Sequence, residues 1–269
     1  MLKKLLKYDL FDIYRGLWPF YALVLAAAGL CRLMIPLSDD STFLYIMSRI
    51  CNGFLIAMMI NAAVNNLIRI WLRFTQSIFG DESYLSHTLP VSRGQLYGSK
   101  FLSSVITMFT TVLIVAGGVF LAYFTDSGAS ELMTSIRLIF SEGAGVVGLS
   151  VPWFLFLITA LIVLEMICIL QVGYTGILLG YRKPSARIGW SFLFGFLTYS
   201  VVQGVLVAAL YALAAVRGGA FAELFSGTAV LSADAFRELF LVAVGFYTLL
   251  ILMLTYFNVT VFEKGVNVD

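Results

Sequence analysis

Charge is scarce in this chain, and so are the side chains that do most catalysis. Asp, Glu, Lys and Arg make up 12% of its 269 residues, against about 25% in a soluble domain. The only histidine is His87, with no cysteine or second histidine nearby, so a metal-ligand spacing is missing. Cys31, Cys51 and Cys168 are dispersed among apolar neighbours. Three such thiols give neither a disulfide framework nor a metal site, and they read as small buried hydrophobes. There is no Gly-x-Ser-x-Gly elbow and no His-Glu-x-x-His pair. The nearest approach to a phosphate-binding loop is Gly94-Gln-Leu-Tyr-Gly-Ser-Lys100, which has the wrong spacing and no strand before it. Enzyme chemistry therefore has no support, no cofactor is expected on this chain, and no nucleic-acid partner is expected.

What the chain has instead is apolar surface, at 61% of residues. Six runs, 17–37, 44–68, 101–124, 151–180, 188–216 and 239–262, reach the roughly 20 residues that an α-helix needs to cross hydrocarbon. They are apolar all round and do not alternate with a period of two, which argues against a transmembrane β-barrel. The expected fold is an all-α membrane protein, a six-helix bundle forming one domain over 1–269, since neither a linker nor a repeated motif is visible. Pro19 and Pro152 are expected in the first turn of a span, Pro36 at the end of one, and Pro90 and Pro184 in connections. On this reading no proline interrupts a span.

Residues 1–16 form a separate feature. Lys3, Lys4 and Lys7 look like the start of a signal peptide. However, Asp9, Asp12 and Arg15 precede the apolar run, the run is too long, and no small-residue cleavage site follows, so the segment is expected to be retained. Leu2, Leu5, Leu6, Leu10 and Ile13 fall near helical spacing, and the basic residues are available to phosphate headgroups. This is the pattern of an amphipathic interfacial helix before the first span.

Positive charge sets the orientation, because cytoplasmic loops are enriched in Lys and Arg. With the N-terminus inside, the inner face receives Lys3, Lys4, Lys7, Arg15, Arg69, Arg73, Arg93, Lys100, Arg182, Lys183, Arg187 and Lys264. The outer face receives only Arg32, Arg49, Arg137, Arg217 and Arg237, which completes the 17 basic residues. Both termini are then cytoplasmic. So are loop two (69–100) and the tight loop four (181–187), while loops one (38–43), three (125–150) and five (217–238) are external. Loop three contains a candidate surface helix at 131–140.

Polar groups within spans are functional candidates. Glu165 lies near the middle of span four. It is expected to face other helices or an aqueous cavity, as a site for a cation or a proton or as a structural carboxyl. Asn61 and Asn65 share a helical face and favour an interhelical seam, as do Gln171 and Gln203. Gly117, Gly118, Gly173, Gly176 and Gly195 mark places for close helix approach, and Arg32 and Arg49 can snorkel to the outer surface.

Loop two carries the most information. Gly80 should end the helix leaving the membrane, Asp81 can cap a new short helix, and Glu82 favours its first turn. Tyr84, Leu85 and Leu89 give that segment an apolar face, Pro90 stops it, and Ser92 caps the approach to span three. The run Gly-Asp-Glu-Ser-Tyr-Leu-Ser-His-Thr-Leu-Pro-Val-Ser-Arg-Gly-Gln-Leu-Tyr-Gly-Ser-Lys (80–100) resembles the cytoplasmic loop of ABC-2 type transporter permeases from Gram-positive bacteria. Their pattern is Tyr-Leu-x-x-x-Leu-Pro-Val-Ser-Arg/Lys-x-x-Leu-x-x-Ser-Lys. The ending Thr-Tyr-Phe-Asn-Val-Thr-Val-Phe-Glu-Lys-Gly-Val-Asn-Val-Asp (255–269) is similar to that family's tail, though nearly neutral where theirs is basic. The likeness covers the whole chain in layout and these two stretches in sequence. It implies an exporter's membrane subunit, paired with a second permease copy or a related permease and with a separate ATP-binding subunit that holds ATP and Mg. It also implies that 76–93 is a coupling-helix loop. Tyr84, Leu85, His87 and Leu89, with Asp81 and Glu82, would dock on the ATPase, and Arg93 would orient the loop. The runner-up readings are a secondary transporter and an ATP-independent membrane enzyme or accessory protein.

Overall fold

Inside hydrocarbon the backbone has only itself to bond with, and every one of the six apolar runs is helical. The structure, a computed structural model, describes residues 2–39, 41–80, 91–124, 128–217 and 233–264. Its helices are α1 (Leu2–Met34), α2 (Thr42–Phe79), α3 (Arg93–Tyr123), α4 (Gly128–Val147), α5 (Val151–Gly180), α6 (Arg187–Arg217) and α7 (Ala233–Glu263). A short 3-10 turn, Pro36–Asp39, follows α1. All but α4 are long and apolar enough to cross a membrane, and there is no strand among the described residues.

Several boundaries differ from the sequence expectation. No break separates 1–16 from the first span, because α1 runs unbroken over 33 residues. One buried stripe, Asp9, Ile13, Leu17, Tyr21, Val24, Ala28 and Cys31, recurs every three or four residues along its length, so a single packed face holds both parts in one helix. Pro19 therefore lies inside a helix and not in its first turn. It sits on the exposed side, away from the packed stripe. Arg69 and Arg73 belong to α2 and not to a loop. The helix expected at 131–140 extends over Gly128–Val147. It ends on Gly148, whose φ of 64° is costly for any residue with a Cβ, and Leu149 N–H closes the turn on Ala144 O at 2.9 Å.

Other boundary signals held. Ser92 accepts from Gln95 N–H at 3.3 Å at the start of α3, and Pro152 falls in the first turn of α5. Gly80 ends α2, and its N–H bonds Gln76 O at 3.2 Å. A Cβ at Gly80 would stand only 2.8 Å from that same carbonyl.

Internal contacts group the chain into two compact units, Met1–Thr134 and Ser135–Asn267. In the first, α1 packs against both α2 and α3. Ala27, Ala28, Cys31, Leu55 and Ala122 form one apolar cluster, and Ile13, Leu17 and Tyr21 another. Tyr14 and Tyr21 lie 2.6 Å from Thr110 and Thr111 on α3. Those threonines donate to Ile106 O and Thr107 O, so the phenols donate to the threonines. Near the other end, Tyr123 donates to Asn52, and Arg32 donates to Leu121 O at 3.3 Å.

The second unit repeats the arrangement, with α5 packed against both α6 and α7. Cys168, Val172 and Val202 form its apolar centre, and Phe154 joins α4 residues Ala144 and Val147 in a second cluster. The expected close approaches occur at Gly118, where a Cβ would meet Val24 at 3.0 Å, and at Gly176, where it would meet Ser191 O at 2.7 Å and Gly195 Cα at 2.8 Å. Gly117 faces open space.

Candidate functional site

The ion pairs of the first unit gather at one end. On α1 charge is absent over 16–31, on α2 over 50–68, and on α3 after Lys100. The packing brings the charged ends of these three stretches together. Asp9 on α1 is buried and pairs with the Lys100 ammonium of α3, which is itself buried. Arg73 on α2 reaches Asp9 with Nε at 3.3 Å and Asp12 with Nη1 at 3.3 Å. One carboxylate thus ties all three helices. At the same level Phe74 and Tyr97, both buried, meet edge to face with centroids 6.2 Å apart and join α2 to α3.

This knot is only partly satisfied. Among the described residues, Asp9 Oδ2, Asn66 Oδ1 and Trp71 Nε1 are buried without a hydrogen-bond partner. A buried ion pair recovers little more than its own desolvation cost. Its effect here is to commit three helices to one register, because slipping any of them would strand a charge.

The knot lies near the last turns of α2 and the first turns of α3. α2 has 38 residues and would be about 57 Å long at 1.5 Å per residue, far more than the roughly 30 Å of hydrocarbon. Asp81, Glu82, Tyr84, Leu85, His87 and Leu89, which the sequence assigns to docking, lie outside the described residues. Arg93 is the first residue of α3 and is exposed. The sequence reading used Arg73 and Lys100 only to set orientation, and Asp9 only as a charge ahead of the first apolar run. Their pairing escaped it because the partners are 64 and 91 residues apart, a separation with no periodic trace.

The second unit carries a different polar group. Gln171 on α5 donates to Thr255 at 2.8 Å, and Asn258 on α7 donates to Gln171 Oε1 at 2.9 Å. Thr175 donates to Asn258 Oδ1 at 2.8 Å. Gln171 and Asn258 are fully buried, so the expected seam at Gln171 is present. Gln203 on α6 lies near the Tyr247 hydroxyl of α7. Asn258→Leu should lower stability by about 1–2 kcal/mol, within the range for interhelical hydrogen bonds in membranes. Thermal unfolding in detergent would register this, and an unchanged midpoint would contradict it. At the α5–α6 turn, Arg182 donates to Val261 O of α7 at 3.1 Å, and burial pushes the Tyr181 hydroxyl up while Arg187 pulls it down.

Asn61 and Asn65 bond each other within α2. Asn65 Nδ2 donates to Asn61 O at 2.9 Å and to the Asn61 side chain. Their i, i+4 spacing lets each satisfy the other without a second helix. Glu165 is exposed on α5, with Cys168 and Tyr247 in electrostatic reach and no hydrogen-bond partner among the described residues.

Among the described residues no group of three His, Cys, Asp or Glu side chains could hold a metal ion. No family model, curated protein or solved structure matches the chain.

Proposed function

We propose that this chain is the membrane-spanning permease subunit of an ATP-driven exporter in a bacterial cytoplasmic membrane, with both termini in the cytoplasm. ATP and Mg bind a separate ATP-binding subunit, and a second permease copy or a related permease completes the path. The observation that supports this reading is that the ABC-2-like sequence 80–100 follows α2 and runs into α3. It joins two helices whose roots are bound to α1 by Asp9, Arg73 and Lys100. A pull on the loop would be passed to three spans at once, because none of them can move alone without leaving a charge buried and unpaired. Glu165 supports a partner in the membrane. An ionisable group exposed in mid-span is costly against lipid and calls for a neighbouring subunit or a wet path beside it.

The test is co-purification with the ATP-binding subunit. Leu85→Asp and Leu89→Asp should each cut association and ATP-dependent transport at least about tenfold, the loss of a single anchor of about 1.4 kcal/mol or more. Full association and transport in both variants would remove the docking role.

One observation favours a second reading. Each unit has three spans, with the first packed against the other two, and related halves are common in secondary transporters. That reading requires substrate movement driven by an ion gradient in vesicles containing this chain alone.

A further inference from the structure

A cavity of about 380 Å³ opens between α1 and α2 beside the charge knot. Its polar lining is Arg15, Arg69, Arg73, Asp12 and Gln76. Arg73 is held by Asp9 and Asp12. Arg15 and Arg69 are exposed and have no ion-pair or hydrogen-bond partner among the described residues. Two guanidinium groups therefore flank one cavity with their charge uncompensated. Arginine stays protonated at any working pH and matches phosphate oxygens with two parallel donors.

The position of these arginines decides which anion fits. Arg15 comes immediately before the uncharged stretch 16–31 of α1, and Arg69 immediately after the uncharged stretch 50–68 of α2. Both mark the border where hydrocarbon gives way to headgroups. The other walls are apolar, including Pro19 and Leu72, and Leu72 is 50% exposed. Trp18, next to Pro19 in sequence but outside the lining, is 66% exposed, as suits an indole at a membrane interface. The volume is within the range of small-molecule sites, roughly 300–1,000 Å³. It exceeds what a bare phosphate needs and suits a phosphodiester with its glycerol. We propose that this cavity is a binding site for the phosphodiester of an anionic phospholipid, with Arg15 and Arg69 on the phosphate and the acyl chains running along Leu72 and Pro19. The site does not depend on an ATPase partner.

The test is native mass spectrometry of the full chain in detergent, titrated with phosphatidylglycerol, with phosphatidylcholine, and with inorganic phosphate as a competitor. Near a membrane surface each arginine is worth about fivefold in anionic-lipid affinity. Arg15→Gln/Arg69→Gln should therefore weaken phosphatidylglycerol binding about thirtyfold and each single variant about fivefold, with phosphatidylcholine unchanged. Both positions are exposed, so the variants should keep the wild-type melting temperature. Arg15→Lys/Arg69→Lys, which keeps the charge but loses the paired donors, should fall between the wild type and the double glutamine variant, and Lys183→Gln, in the other unit, should retain all of the preference. Unchanged phosphatidylglycerol affinity in the double glutamine variant would overturn the site. So would equal binding of the two lipids by the wild type, or displacement of the lipid by millimolar inorganic phosphate.

Discussion

Lys100→Met is expected to destabilise the chain by about 3–5 kcal/mol, the cost of stripping one partner from a buried ion pair. The side chains of Lys100 and Asp9 are only 5% and 3% accessible, so water cannot replace the lost ammonium. Arg73 remains 3.3 Å from Asp9 but is shared with Asp12, which places the loss toward the lower end of that range. Asp9→Asn should cost a similar amount by stranding the lysine. The double variant Asp9→Asn/Lys100→Met should recover at least half of the loss, because a buried pair replaced on both sides is often close to neutral. Thermal unfolding of the four proteins in one detergent gives the cycle. If Lys100→Met melts with the wild type, the charges are not buried and the knot does not exist.

Gly176→Val should be nearly as damaging, at about 3 kcal/mol or slightly more, the upper end for overpacking. A Cβ on Gly176 would press on Ser191 O at 2.7 Å and on the Gly195 backbone at 2.8 Å. These are backbone atoms of α6, so relief requires moving a helix and not turning a side chain. Gly117→Ala is the control. It lies in α3 with nothing within 4 Å of the added carbon, and should stabilise by up to about 1 kcal/mol through helix propensity. Equal effects at the two positions would show that α5 and α6 are not in backbone contact.

Much of the architecture was legible because lipid imposes a simple rule. Six runs of the required length gave six helices long and apolar enough to cross a membrane, and Gly80, Ser92 and Pro152 marked ends through local chemistry that acts over a few residues. The break expected after residue 16 failed for a reason visible only in packing. The stripe from Asp9 to Cys31 faces α2 and α3 throughout, and a charged residue on that stripe looks like a headgroup contact until its partners are known. The pairing of Asp9 with Lys100, and the closeness of Arg15 to Arg69 across a cavity, depend on which helices adjoin. Sequence periodicity reports the face a helix buries but not the neighbour it is buried against. Asn61 and Asn65 show the converse, since polar residues four apart have a local solution that a search for interhelical partners overlooks.

The most direct test of the coupling account is photo-crosslinking from Leu85 in intact membranes, with the adduct identified by mass spectrometry. The account predicts one major adduct, to a polypeptide carrying a Gly-x-x-x-x-Gly-Lys-Ser/Thr loop, with a yield that changes when ATP is added and with none from a probe at Ser38. Adducts only to lipid, or a Leu85 probe that reacts with a membrane-impermeant reagent applied to the outside of intact cells, would contradict it.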